Sequence, residues 1–199
     1  GSLWTRHVIS TEADCACSVF GADVDGDGDV DGMSASCYDD TIAWYENVNG
    51  AGSLWTRRVI STAADGARSV FGADVDGDGD VDGMSASSVD STIAWYENVN
   101  GDGLLWTRRV ISTEADGARS VFGADIDGDG DIDGMRASYY DDTIAWYENV
   151  NGDGSLWTRR VISTEADSAR SVFGADVDGE GDIDGKSADQ GTNTYSPGT

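Results

Sequence analysis

Carboxylates occupy every second position of "DVDGDGDVD", a string that begins at Asp23 and returns almost unchanged at Asp74, Asp125 and Asp176. With acids at positions one, three, five, seven and nine and glycine at six, alternate side chains can close on one hard cation while the glycine permits a sharp bend. In the first loop Asp23, Asp25, Asp27 and Asp31 are the expected side-chain ligands, with Asp29 giving its backbone carbonyl. The second loop offers Asp74, Asp76, Asp78, Asp80 and Asp82, and the third Asp125, Asp127, Asp129, Asp131 and Asp133. The fourth offers Asp176, Asp178, Glu180, Asp182 and Asp184, where the longer Glu180 is expected to weaken the site.

The ion this chemistry favours is Ca²⁺, about four in all and one per loop, because calcium takes 6–8 oxygens in flexible geometry. Mg²⁺ keeps its waters and a strict octahedron, and fits the string less well. Acidic runs are usually solvated turns, but here spacing, glycine position and recurrence agree. No Glu stands at position twelve and no helical period flanks the loop, so an EF-hand is excluded.

The elements that must carry these loops repeat with them. Trp4, Trp55, Trp106 and Trp157 are spaced by 51 residues, as are Phe20, Phe71, Phe122 and Phe173. A fixed period of this length marks stacked supersecondary units. Each unit holds four short runs such as "RSVFGAD", "GMSASS", "TIAWYEN" and "LLWTRRVIS", rich in β-branched and aromatic residues and bounded by Gly, Asn, Asp or Ser. With 1 Pro in the chain and no sustained helical period, the chain reads as all-β.

Alternation places apolar groups on both faces: Ile93 and Trp95 against Ala94 and Tyr96, Trp55 and Val59 against Leu54 and Ile60. A sheet sandwiched between two others fits that pattern, and four-stranded units around an axis make a β-propeller. A β-helix is the alternative, with rungs that are usually shorter. The expected organisation is one repeat domain over residues 1–199 with about four blades. It comprises a stray outer strand at 1–10, repeats at 11–61, 62–112 and 113–163, and a truncated repeat at 164–199. Segment 1–10 could complete the last blade, with residues 192–195 standing in for its missing strand; ring closure and total blade number stay open.

The strings "SVFGADVDGDGDVDG", "SAS" and "TIAWYEN" resemble the FG-GAP and VCBS-type repeats over nearly the whole chain. The resemblance implies propeller blades with Ca²⁺ in the loop between adjacent strands, as in integrin α-subunit heads. It also implies a setting among extracellular adhesion proteins, some fungal lectins or certain polysaccharide lyases. Family propellers commonly have seven or eight blades, more than this chain holds.

Charge narrows the partners. The chain carries 38 acidic and 12 basic side chains, a formal net charge of -26. Nucleic acid and anionic membrane surfaces both reward basic residues and are excluded as partners. No apolar run reaches membrane-spanning length, so no membrane insertion is expected. The chain begins at Gly1 rather than Met and is expected to be processed or part of something longer. Weak extracellular calcium modules and the family setting together place it outside the cell or at its surface.

Catalytic chemistry finds little footing. His7 is the sole histidine and stands where other repeats have Arg58, Arg109 and Arg160, so the serines lack a base. Glu46, Glu97 and Glu148 recur once per unit; a glycosidase pair is conceivable, but recurrence favours structural ion pairs with Arg57, Arg108 or Arg159. The repeated Trp and Tyr read as core rather than sugar platforms. The units differ at "SCYDD", "SSVDS" and "SYYDD", which marks these turns as rim loops that carry binding, with Tyr38, Tyr139 and Tyr140 as contact candidates. Symmetric strand pairing would set Cys17 opposite Cys37 and leave Cys15 free, which allows a cross-strand disulfide; an odd count equally allows three thiols.

The expected function is a calcium-stabilised, non-catalytic binding or adhesion module for a protein or carbohydrate ligand, with self-association as a further way to complete a propeller. The alternatives are a fragment of a propeller-type polysaccharide lyase and a structural spacer of a larger surface protein.

Overall fold

The computed structural model describes residues 5–179 and 183–189. The first sheet is an antiparallel meander of β1 (Ala16–Ala22), β2 (Asp31–Ser36), β3 (Thr41–Asn47) and β4 (Trp55–Ser61). The second repeats it with β5 (Ala67–Ala73), β6 (Asp82–Ser87), β7 (Thr92–Asn98) and β8 (Trp106–Ser112). The third holds β9 (Ala118–Ala124), β10 (Asp133–Ser138), β11 (Thr143–Asn149) and β12 (Trp157–Ser163). A two-stranded sheet of β13 (Ser171–Ala175) and β14 (Asp184–Ala188) follows. Among the described residues no helix is long and apolar enough to cross a membrane.

Successive sheets stack through their first strands, β1 on β5, β5 on β9 and β9 on β13. A ladder of tilted rings, Phe20, Phe71, Phe122 and Phe173, runs through the stack with centroids 4.5 to 5.0 Å apart. The rings approach so closely because the next sheet presents glycine: a Cβ on Gly72 would lie 3.0 Å from Phe20, and one on Gly123 3.1 Å from Phe71. Serine hydroxyls add ties, Val70 N–H donating to Ser18 Oγ at 3.3 Å and Val121 N–H to Ser69 Oγ at 3.2 Å.

The core lies between sheets. Met33, Ile42 and Trp44 of the first sheet pack with Val70, Ala94 and Tyr96 of the second, and the same positions recur one repeat on. The middle strands β3, β7 and β11 are apolar on both faces, and nearly every residue in them is buried. The outer strands differ: Val59, Val110 and Val161 stay about half exposed, because β4, β8 and β12 lie at the edges of their sheets.

Val70, Val121 and Val172 are covered by the preceding sheet, whereas Val19 at the same position of the first sheet is 78% exposed. Residues 5–10, read as part of an outer strand, are not in a strand. Residues 192–195, expected to replace that strand, lie outside the described residues, as do Trp4, Glu180 and Asp182.

Candidate metal centres

Each acidic loop joins the first and second strands of a sheet at one end of the stack. The backbone turns back at the position-six glycine, whose φ is +92° at Gly28, +96° at Gly79 and +98° at Gly130, a region that side-chain-bearing residues rarely enter. That turn is held by the position-one carboxylate. Gly28 N–H donates to Asp23 Oδ2 at 2.9 Å, Gly79 to Asp74 Oδ2 at 3.0 Å, and Gly130 to Asp125 Oδ2 at 3.0 Å.

The carboxylates converge in all four loops. One oxygen each from Asp23, Asp25 and Asp27 lies within 4.8 Å of the others, and so do those of Asp74, Asp76 and Asp78. In the third and fourth loops the groups are Asp125, Asp127 and Asp133, and Asp176, Asp178 and Asp184. Among the described residues, position nine thus joins the cluster in the third and fourth loops and position five in the first two, while position seven joins in none of the first three. The side chains of Asp29, Asp80 and Asp131 lie instead against Gly50, Gly101 and Gly152 in the turn before the fourth strand, where a Cβ would fall 2.2 to 2.4 Å from a carboxylate atom.

Among the described residues, no ion pair reaches the carboxylates of the first three loops. The ion pairs of Arg57, Arg58, Arg108, Arg109, Arg136 and Arg160 all go to carboxylates outside the acidic loops. Asp23 Oδ1 and Asp76 Oδ1 are withdrawn from solvent without a hydrogen-bond partner. Burial first, then repulsion from Asp31 and Asp27, raises the Asp25 carboxyl above its ordinary range. Asp76 and Asp127 are raised in the same way, by burial and by Asp78 and Asp129 respectively. Crowded, partly desolvated carboxylates with free oxygens fit a hard divalent cation, which needs several oxygen donors.

The position-nine aspartate has a further task that the spacing alone does not disclose. Asp82 is buried, and its Oδ2 accepts Val75 N–H at 3.0 Å while its Oδ1 accepts Asn98 N–H at 2.8 Å. Asp31 and Asp133 bind Val24 and Asn47, and Ile126 and Asn149, in the same way. This residue ties the start of the loop to the end of the third strand of its own sheet. Its burial pushes the Asp82 carboxyl up to about 7 and that of Asp133 up to about 6.

Glu46, Glu97 and Glu148 do form ion pairs, but with Arg58, Arg109 and Arg160 at 2.5 Å. Arg57 and Arg108 reach Asp39 and Asp90 instead, because β3 pairs Tyr45 with Arg57 and Trp44 with Arg58, which puts Arg58 on the Glu46 face. Arg58 and Arg109 also lie over the Trp44 and Trp95 rings at 5.7 and 5.5 Å. Trp44, Trp95, Tyr45 and Tyr96 are buried core. His7 is exposed.

Cys15, not Cys17, meets Cys37, with Sγ atoms 2.7 Å apart. Pairing starts with Ala22 opposite Asp31, and a bulge at Cys17 then displaces the register, so the expected Cys17–Cys37 facing does not form. All three are free thiols. Burial, and hydrogen bonding with Cys15, push the Cys37 thiol up to about 12.

Stacked four-stranded meanders with an acidic, cation-ready loop between their first two strands define a tandem-repeat β protein. The family model described as FG-GAP-like repeat matches residues 23–85 and 74–134. Each match runs from one acidic loop into the strand after the next one, and together they cover more than half of the chain. The chain belongs to the FG-GAP-like repeat family. No curated protein matches it.

Proposed function

We propose that this chain is a calcium-stabilised, non-catalytic binding or adhesion module that works outside the cell and recognises a protein or glycan ligand through its rim loops. The stacked sheets are then blades of a β-propeller, completed within a longer chain or by a second copy.

The observation that carries the reading is the recurrence of the carboxylate cluster at one place in every repeat. Family membership supports it, since FG-GAP-like repeats occur in integrin-like binding modules and in extracellular or surface proteins. Positions one, three, five and nine would hold the ion, with the position-seven backbone carbonyl. A bound Ca²⁺ supplies charge neutralisation and a fixed loop geometry. The protein's own part is to hold the oxygens, through the glycine and Asn N–H bonds described above. Weak extracellular modules bind calcium in the range of about 10⁻⁴–10⁻³ M, which suits an exposed module of this charge.

Thermal unfolding in EDTA and in millimolar Ca²⁺, followed by glycan and protein arrays at high calcium, tests the reading. Chelation should lower the melting temperature by many degrees, and readdition of Ca²⁺ should restore it. An identical melt in both solutions would remove the structural role of the ion.

A further inference from the structure

At the rim opposite the acidic loops lies a second concave site, with a volume of about 540 Å³. Its walls are Cys17, Arg68, Arg119, Arg170, Tyr139 and Tyr140. Positions 17, 68, 119 and 170 are one position of four successive repeats, so stacking sets three guanidiniums in a row. Arg68 and Arg119 are each the extra residue of a β-bulge: register passes from Ala67 to Ser69 and from Ala118 to Ser120. Bulges re-aim a side chain out of its sheet, and here they aim both arginines at the same rim.

Three converging cations are unusual in a chain of net charge -26. None of the ion pairs among the described residues uses Arg68, Arg119 or Arg170. Arg68 donates only weakly inside the cavity, to Ser88 Oγ at 3.2 Å and Cys17 Sγ at 3.6 Å. Arg119 and Arg170 stand over the Tyr139 ring at 4.9 and 5.4 Å, and Arg119 Nε is shielded from solvent with no hydrogen-bond partner. Guanidinium forks with free N–H donors match the planar or tetrahedral oxygens of carboxylate and sulfate.

Tyr139 belongs to the third repeat alone, where the first two have Cys37 and Ser88, while Tyr140 shares its position with Tyr38 and Val89. Tyr140 is 64% exposed and meets Tyr139 edge-on, with centroids 5.1 Å apart. Its ring rests against Gly117, at the place where Val89 rests against Gly66 in the second repeat. An exposed aromatic face beside oxyanion-ready arginines suits a ring that carries an acid group. The cavity volume falls within the range of small-ligand sites, about 300–1,000 Å³, rather than the broad face of a protein partner.

We propose that Arg68, Arg119 and Arg170, with Tyr139 and Tyr140, bind the carboxylate or sulfate of an acidic saccharide. The proposal rests on the binding-module reading and names the ligand class for its rim.

Calorimetric titration of the full chain in millimolar Ca²⁺ tests it with five probes: an oligogalacturonate, a sulfated dextran oligomer, neutral dextran, sodium sulfate and an Asp-rich peptide. At least one acidic oligosaccharide should bind, more weakly as NaCl is raised, while neutral dextran does not. Arg119→Gln and the more exposed Arg170→Gln should each weaken that binding about tenfold, the loss of one charge-assisted hydrogen bond, with melting temperatures near that of the parent. Arg119→Lys should fall between, since it keeps the charge and loses the fork. Failure of both acidic oligomers to bind, equal binding of neutral dextran, or sodium sulfate or an Asp-rich peptide binding as tightly would overturn the assignment. So would unchanged affinity in both glutamine variants. If those variants still retain a neutral glycan in a calcium-dependent way, this site falls while the binding-module reading stands.

Discussion

Asn98 Nδ2 donates to the carbonyl of Val24 at 2.9 Å, across 74 residues of chain and from one sheet to the acidic loop of the sheet before it. The same Asn98 gives its backbone N–H to Asp82, the position-nine carboxylate of its own loop. Asn149 repeats the arrangement, reaching Val75 at 2.9 Å while its N–H binds Asp133. Val75 N–H in turn binds Asp82. One line of hydrogen bonds therefore runs from loop to loop.

Asn98→Ala removes the Val24 tie, a second bond to Val81 O and the acceptor for Gly103 N–H, all in buried or partly buried surroundings. Stranding buried polar groups costs about 1–3 kcal/mol apiece. Asn47→Ala should cost less, because the Asn47 side chain bonds only within its own repeat, to Val30 O and Gly52 N–H. Denaturant midpoints of the two variants check the difference. Equal losses would show that the tie between sheets contributes little.

Asp76 sits in a carboxylate cluster and Asp90 in a loose surface pair with Arg108 at 3.9 Å. At high calcium Asp76→Ala should lower the melting temperature more than Asp90→Ala, since exposed ion pairs contribute only about 0–1 kcal/mol. In EDTA the order should narrow or invert, because Asp76 is then only a crowded, desolvated charge. Melting curves of both variants in both buffers give the answer.

The carboxyls of Asp82 and Asp133, pushed up to about 7 and about 6, titrate far above the unfolded value near 3.9. In metal-free protein the folded state therefore holds more protons than the unfolded one across this window. The stability these groups contribute is full below about pH 4 and is lost as pH rises through about 6 to 7. Dialysed, metal-free protein should thus be more stable at pH 5 than at pH 8, and the overall negative charge works in the same direction. Calcium, which favours the ionised carboxylates, should stabilise most at pH 8. Urea midpoints at the two pH values, with and without Ca²⁺, test both statements.

Gly123 lies in the ring ladder, where a Cβ would stand 3.1 Å from Phe71 Cε1, 3.2 Å from Ile132 Cγ2 and 3.2 Å from Met84 Sδ. Gly123→Val adds three carbons to that space, and overpacking of this kind costs about 1–3 kcal/mol. Gly32→Val in the first sheet meets only Tyr45 Cδ2 at 3.9 Å and should cost clearly less. The two melting temperatures compare them directly.

The strands, their period and the acidic loops were legible because they rest on local pattern: alternation, β-branched runs and a glycine that must turn. The carboxylate clusters followed from spacing for the same reason. What escaped was set by register. A bulge cannot be read from composition: symmetric pairing sets Cys17 opposite Cys37, while the fold brings Cys15 there. The same blindness hid Arg68 and Arg119, whose outward aim comes from the bulges. Glu46 pairs with Arg58 and not with the expected Arg57, a difference of one residue that on a strand means the other face. Asn47, Asn98 and Asn149 did recur visibly in "WYEN", but their link to the preceding loop needed the stacking of sheets to appear.

Val19 bears on evolution. What is a joint at Val70, Val121 and Val172 is a bare landing at Val19. A gene segment copied in frame would deliver a mate already cut to that landing, and excision of one period would bring two old mates together. The length of such a chain can drift by whole units while every seam keeps its shape.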